Sequence, residues 1–408
     1  MAGLQSTYTG QTLMFHRRPA ALNQLSASTS ESLARLAALE GFSRSLLVGI
    51  VPLIAYEVLG DKESVARVYT VAAIMTLLVT LNFATFERLL QRRWVLTMGC
   101  GFLMAAALAL FLSRTYTLPL GIGLRSAAAS LFSVCLSLYI MDYIGKRELT
   151  RNESRRMQYA GAAWLVGPFL GTWLLSTNAR YLPFLISAVS ASMALAYFWS
   201  LRLGENRVIA AAQSTATNPL RSITKFAAQK RLRIAYGITL SRSCYWVALF
   251  IYGPIYVVES GLPTWCAGVL LSGISVLLFF SPLVRKLSDA IGIRQLVVSG
   301  LLLTGASLVC LAILGEANPY GIIFWVTGAV GGWVLDVLGN IPFMRMVRPR
   351  ERTAMTTVFS TWREASELLT PVIVGLVLLW FEFHLFFLVL AFMHFTSAAS
   401  ASRLPRRL

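Results

Sequence analysis

Eight ionisable side chains interrupt stretches of this chain that are otherwise apolar: Glu40, Arg44, Arg125, Arg242, Asp336, Arg363, Glu364 and Glu367. A central Arg or Asp in a bilayer costs ~3 kcal/mol, so eight facing lipid would cost on the order of 24 kcal/mol, beyond ordinary fold stability. They must therefore face water or one another, and four guanidinium groups against four carboxylates permit near-complete pairing. Two chemistries follow. A carboxylate in a wet cavity takes and releases a proton as access to the cavity changes, which makes Glu40, Asp336 and Glu367 the candidate proton sites. Arg44, Arg125, Arg242 and Arg363 would supply counter-charge or hold an anionic group, with Glu364 and Asn340 on the same cavity. Tyr245, Trp246 and Trp333 offer flat faces to an amphiphilic or cationic substrate, as do Trp325 and Trp362; packing between helices is the competing role for each. Glu40 and Arg44 are four residues apart, as are Arg363 and Glu367, so each pair shares one helical face and could equally be an internal salt bridge.

The elements that must carry these groups are legible from composition. The chain has 408 residues, 56% hydrophobic and 13% charged, with a net charge of +18, which disfavours a water-soluble globule. Twelve apolar runs are long enough to cross a bilayer, at about 34–59, 65–86, 94–113, 117–144, 157–177, 181–201, 233–258, 264–284, 295–315, 319–344, 353–380 and 384–402. All are expected as helices, because lipid offers no partner to open backbone groups. With both termini cytoplasmic, the basic residues between runs gather inside, and the outer connections hold only Lys62, Arg67, Arg114 and Arg180. The third, sixth, ninth and twelfth runs carry no charge in their cores and should form the lipid-facing ring.

The longest polar stretch after the N-terminus divides six runs from six. Expected units are a cytoplasmic tail at 1–33, a first bundle at 34–203, a cytoplasmic linker at 204–232, a second bundle at 233–402 and a tail at 403–408. Residues Asn218 to Arg233 read either as a surface helix on an anionic leaflet or as a solvated linker. Weak internal repetition supports two halves: Arg93 to Gly99 matches Arg294 to Gly300, Arg151 to Met157 resembles Arg350 to Met355, and Pro52 matches Pro254, each about 200 residues on.

Other function classes lack their signatures. The basic residues form no groove rich in polar residues, so no nucleic acid partner is expected. There is no phosphate-binding loop, no metal-ligand spacing and no H-E-x-x-H, so no enzyme, cofactor or metal is expected. Cys100, Cys135, Cys244, Cys266 and Cys310 all lie in apolar runs and are expected as free thiols. The first 33 residues have no secretory signal pattern, and their scarcity of acids gives thin support for a transit peptide.

Two six-helix halves with charge on runs 1, 4, 7, 10 and 11 resemble the major facilitator superfamily. In run 5, Gly161-Ala-Ala-Trp-Leu-Val-Gly167-Pro168-Phe-Leu-Gly171 resembles the family's antiporter motif, G-x-x-x-G-P-x-x-G-G, with Thr172 replacing its last glycine. Arg125, followed by Ala127 to Ala129, is similar to the helix 4 arginine motif of drug:proton antiporters, and Glu40 is its first candidate partner. The loop signature G-x-x-x-D-R-x-G-R-R is degenerate between runs 2 and 3, where Phe83 replaces Gly, Glu87 and Arg88 replace Asp-Arg, and Arg92 and Arg93 remain. Asp289, Gly292 and Arg294 keep more of it between runs 8 and 9. In the family such charges latch the halves against a carboxylate at the end of helix 4, here Asp142, so the resemblance assigns these residues to gating. Glu148 and Arg155 match a sugar-porter spacing without the rest of that signature.

The resemblance implies an all-α membrane protein of twelve transmembrane helices in two pseudo-symmetric six-helix bundles. It further implies an alternating-access carrier, monomeric and resident in a bacterial inner membrane, that exports a small organic or amphiphilic compound in exchange for protons. A proton-linked importer of an organic anion is the alternative transporter, and a non-transporting membrane scaffold or sensor is the alternative of a different class.

Overall fold

A computed structural model describes residues 20–143, 149–177, 179–201, 219–347 and 352–404. The first bundle holds α1 (Ala20–Val48), α2 (Ile50–Leu59), α3 (Lys62–Leu81), α4 (Phe83–Leu112), α5 (Thr117–Tyr143), α6 (Leu149–Ser176) and α7 (Leu182–Ser200). After α8 (Pro219–Ala228) the second holds α9 (Lys230–Glu259), α10 (Thr264–Ser275), a 3-10 turn, α11 (Ser281–Ile291), α12 (Ile293–Leu314), α13 (Gly321–Leu338), α14 (Ile341–Met346), α15 (Arg352–Ser360), α16 (Trp362–Leu378) and α17 (His384–Ala401). No strand occurs among the described residues.

Ten of these helical stretches are long and apolar enough to cross a membrane, by length and composition alone. The expected crossings at 157–177 and 353–380 fall on α6 and on α15 with α16, which are helical but not among those ten. Charge explains one of the two, because every 18-residue stretch of α15 with α16 contains Arg363, Glu364 and Glu367. Several helices are also broken: a turn at Thr361 separates α15 from α16. Gly49 divides α1 from α2, and the following Pro52 has no N–H for the carbonyl of Val48. Gly339 and Asn340 divide α13 from α14, ahead of Pro342.

The packing order builds two bundles. In the first, α1 packs on α6 and α7, and α4 on α5 and α7; in the second, α9 packs on α16 and α17, and α12 on α13 and α17. They meet where α10 lies on α6 and α16 lies on α3. The buried core reveals how they meet. At the end reached by α2 and the C-terminal half of α9, one continuous cluster joins residues of both bundles, among them Val51, Ile54, Val65, Leu249 and Ile255. At the opposite end the core is split, with Leu36, Leu96 and Tyr139 in one cluster and Val297, Leu335 and Ala398 in another. The molecule is therefore closed at the first end and open between the bundles at the second.

The helices whose cores lack charge present large apolar side chains outward, including Leu108 of α4, Met193 of α7, Ile313 of α12 and Phe392 of α17, as lipid contact requires. Two expected boundaries shift. α1 begins at Ala20, inside the expected tail. The end of the expected linker is α8, whose Phe226 is buried against Phe343, Val347, Met355 and Phe359 while Ile223 stays exposed. One face of α8 thus packs on the second bundle, which neither a leaflet-bound helix nor a fully solvated linker would require. Residues 204–218 and 405–408 lie outside the described residues.

Candidate functional site

The first bundle's charges form one connected group. Glu40, 4% exposed, pairs with Arg44 one turn later on α1, Nε to Oε1 at 2.5 Å. Arg125 on α5 does not pair with Glu40 as expected; its Nη2 donates to the backbone carbonyl of Arg44 at 2.9 Å. The physical reason is that Arg44 already occupies Glu40 within the same helix. Tyr69 of α3 lies close enough to Arg125 to feel its charge, and sequence reasoning missed it because nothing marks one tyrosine in an apolar run.

In the second bundle Arg242 of α9, 4% exposed, pairs with Asp336 of α13, Nε to Oδ1 at 3.2 Å. Its Nη1 donates to the carbonyl of Leu335 at 3.3 Å, and its guanidinium lies 4.8 Å from the ring centre of Trp362. The Asp336 side chain is 33% exposed, so the pair has a buried cation and a part-exposed carboxylate. Asn340, one turn on at the break after α13, has a buried Oδ1 without a hydrogen-bond partner.

The remaining charges lie on α16. Arg363 does not pair with Glu367 at the spacing that would allow it; it is exposed, with its guanidinium 5.5 Å from the centre of Trp362. Trp362 thus has two guanidinium groups, of Arg242 and Arg363, near its ring. Glu364 and Glu367 are half-buried, and among the described residues neither makes an ion pair within 4.0 Å. Glu367 feels Arg363 and Glu364 on its own helix and Arg44 and Arg125 across the gap. That reach is possible because α16 packs on α3 of the other bundle.

Two aromatic candidates move away from the site. Tyr245 is fully buried, donates to the carbonyl of Trp325 at 2.5 Å and packs on His394, inside the second bundle. Trp333 is buried in that bundle's split-end core. Trp246 instead stacks on Phe250, with centroids 5.9 Å apart, and Phe250 meets Trp164 of α6 at 5.5 Å. These three half-buried rings run from one bundle to the other. Phe250 and Trp164 were missed as aromatic surfaces, although Trp164 stands inside the run 5 motif.

The run 5 motif is a packing surface. A Cβ on Gly171 would collide with the carbonyl oxygen of Leu46, and one on Gly167 would meet Ser45 Cβ at 2.8 Å. Glycine is what allows α6 to lie against α1. Gly161 sits near Phe279 of the 3-10 turn, while the position four before Gly167 is Ala163, whose carbonyl accepts from Ser45 at 2.9 Å. Pro168 stands inside α6 without an N–H to donate, and the next N–H, of Phe169, donates to Ser272 Oγ of α10 in the other bundle at 3.0 Å.

Among the described residues, the contacts seen for the gating candidates Arg92 and Arg294 join groups of their own bundle. Arg92 pairs with Glu87 at 3.1 Å and lies over Tyr139, within the first bundle. Gln91, at φ 62, breaks the helix beside them, and Arg93 is exposed. Arg294 donates to the carbonyls of Ser402 and Leu404 at the end of α17, Asp289 is exposed, and Gly292 turns the chain at φ 98. These contacts fit the open end, where facing surfaces are apart. The side chains of Arg88 and Asp142 lie outside the described residues, as do those of Glu148 and Arg155.

A sequence model of the family described as Major Facilitator Superfamily matches residues 33–286. Among solved structures the chain is similar to a POT family transporter in complex with 5-aminolevulinic acid, at a TM-score of 0.73 and 12% identity over 94% of this chain and 96% of that one. It is also similar to the nucleoside transporter NupG, at a TM-score of 0.69 and 14% identity over 91% and 98%. At such identities the likeness is one of fold. No curated protein matches the sequence.

Proposed function

The chain belongs to the major facilitator superfamily, and from that membership we propose a proton-coupled carrier that exports a small organic or amphiphilic compound by alternating access. It is an integral, multi-pass membrane transporter and not an enzyme. The observation that carries the proton coupling is Glu367, half-buried and without an ion-pair partner among the described residues, yet within the field of Arg44 and Arg125 on the other bundle. Rocking the bundles changes that separation. The carboxylate then holds its charge when the guanidinium groups are near and takes a proton when they recede. Asp336 can alternate in the same way between Arg242 and a proton. Glu40 is the weakest of the three proton candidates, because it is buried against Arg44.

The substrate surface in this reading is the column of Trp246, Phe250 and Trp164, with Asp336 on the same face of the opening as the only charge needed to favour a flat lipophilic cation. In this reading the split end, where the basic connections lie, faces the cytoplasm, the side from which an exporter loads its substrate. The same reading has twelve crossings, both ends of the chain cytoplasmic, the units at 34–203 and 233–402, and a monomer working in a bacterial inner membrane.

One observation favours import of an organic anion instead: Arg363 is exposed and, among the described residues, has no carboxylate within 4.0 Å. Proteoliposomes with a trapped pH dye separate the two. Flat lipophilic cations should drive proton flux that Glu367→Gln abolishes, with folding retained. Flux driven only by organic acids, and lost in Arg363→Gln, would establish the importer. Substrate movement without proton flux would reject coupling altogether.

A further inference from the structure

At the closed end one carboxylate holds the bundles together. Glu259, the last residue of α9, pairs with Lys62 Nζ at 2.7 Å and accepts a hydrogen bond from Tyr56 Oη at 2.8 Å. Glu259 belongs to the second bundle, whereas Tyr56 on α2 and Lys62 at the start of α3 belong to the first. The Lys62 ammonium also lies 4.3 Å from the ring centre of Phe383, in the turn before α17. By contrast, the pairs Glu40–Arg44, Glu57–Arg180 and Arg242–Asp336 each stay within one bundle.

The setting suits a contact that is made and broken in every cycle. The side chains of Lys62 and Glu259 are each 20% exposed, and a cavity of about 310 Å³ opens beside them, lined also by Tyr256, Glu316, Glu382 and His384. When the bundles part, both charges can be rehydrated through that cavity, so separation leaves no buried unpaired ion. A fully buried pair would act as a permanent staple. This pair is dry enough to hold and wet enough to release. α2 brings Tyr56 to the same carboxylate, so the clasp also ties the segment beyond the Gly49 break, next to the Arg44 cluster, to α9.

We infer that Glu259 is the hub of the outer gate: its joint hold on Tyr56 and Lys62 keeps this end shut while the cavity is open at the other, and its release sets how often the carrier opens outward. The inference rests on alternating access alone, not on proton coupling or on the substrate class. Its test is therefore conformational. Spin labels would be placed at Tyr116 and Tyr320, exposed in closed-end connections of the two bundles, with the five native cysteines replaced by alanine. In detergent or nanodiscs, the unaltered clasp should give a dominant short distance population beside a minor long one. Glu259→Gln and Lys62→Met should each raise the ratio of the long to the short population by about fivefold, the order expected for a part-exposed ion pair. Lys62→Arg should leave the ratio unchanged, and the exchanged pair Lys62→Glu with Glu259→Lys should restore it in part. Identical distributions in folded Glu259→Gln and Lys62→Met would overturn the inference. A change in distances with proton flux absent would uphold the gate while rejecting the coupling proposed above.

Discussion

Removing the two members of the Arg242–Asp336 pair one at a time should have unequal costs, and the inequality follows from where water reaches. At 3.2 Å two unit charges attract by about 5 kcal/mol at an effective dielectric near 20. Asp336 is 33% exposed, so water already screens part of that attraction. Asp336→Asn leaves Arg242, 4% exposed, with only the Leu335 carbonyl and the face of Trp362. Removing one partner of a buried pair costs 3–5 kcal/mol when both are dry; discounted for the wet carboxylate, Asp336→Asn should cost roughly 2–3 kcal/mol. Arg242→Met leaves Asp336 at the opening, where it hydrates or takes a proton, and should cost only about 1–2 kcal/mol. The double variant should cost less than the sum by about 2 kcal/mol. Unfolding by sodium dodecyl sulphate titration in mixed micelles, followed by helical circular dichroism, reads all three. Equal costs, a costlier Arg242→Met, or additivity within about 0.5 kcal/mol would refute the reasoning.

Further outcomes follow from contacts elsewhere. Gly171→Ala sets a methyl group against the backbone oxygen of Leu46 and should cost about 1–3 kcal/mol, whereas Gly101→Ala, with nothing within 4 Å, should be neutral or stabilising by up to ~1 kcal/mol; parallel unfolding curves compare them. Ser272→Ala strips the partner from the N–H of Phe169 beyond Pro168 and should cost about 1–3 kcal/mol, seen as a lower midpoint in the same titration. Asp61 caps α3, its carboxylate accepting from the N–H of Ser64 at 2.6 Å, and that bond holds its carboxyl below the usual range. Because the folded value is depressed, the cap's contribution is complete above the unfolded value near ~3.9 and disappears as pH falls through the folded one. Asp61→Ala should therefore lower the melting temperature at pH 7, and the deficit should shrink as pH falls below the unfolded value; a deficit independent of pH would count against the cap.

Much of the architecture was legible because a bilayer restricts what a sequence can do. Length and apolarity of each run led to helices, and those runs match helical stretches such as Phe83–Leu112 and Ile293–Leu314. The cost of charge in hydrocarbon singled out Glu40, Asp336 and Glu367 as groups needing a partner or water, and i,i+4 spacing anticipated Glu40 with Arg44. The same spacing failed for Arg363 and Glu367, since an exposed guanidinium can stack on Trp362 at less entropic cost than an ion pair. Tyr245 shows the limit of aromatic counting. Beside Trp246 in sequence, it points some 100° around the helix into the bundle, where its hydroxyl finds the Trp325 carbonyl.

Composition, run length and the asymmetry of basic residues were thus sufficient for a helical, multi-pass membrane protein and for the list of costly charges, because those depend on transfer energies that each residue carries with it. Which charge meets which was settled by the tertiary structure alone: Arg125 on the Arg44 carbonyl, Arg242 on Asp336, Lys62 on Glu259 across the bundles. Helices far apart in the chain fix these distances, and a pairing energy that changes severalfold with a few ångströms and with access to water is not a property of any residue by itself.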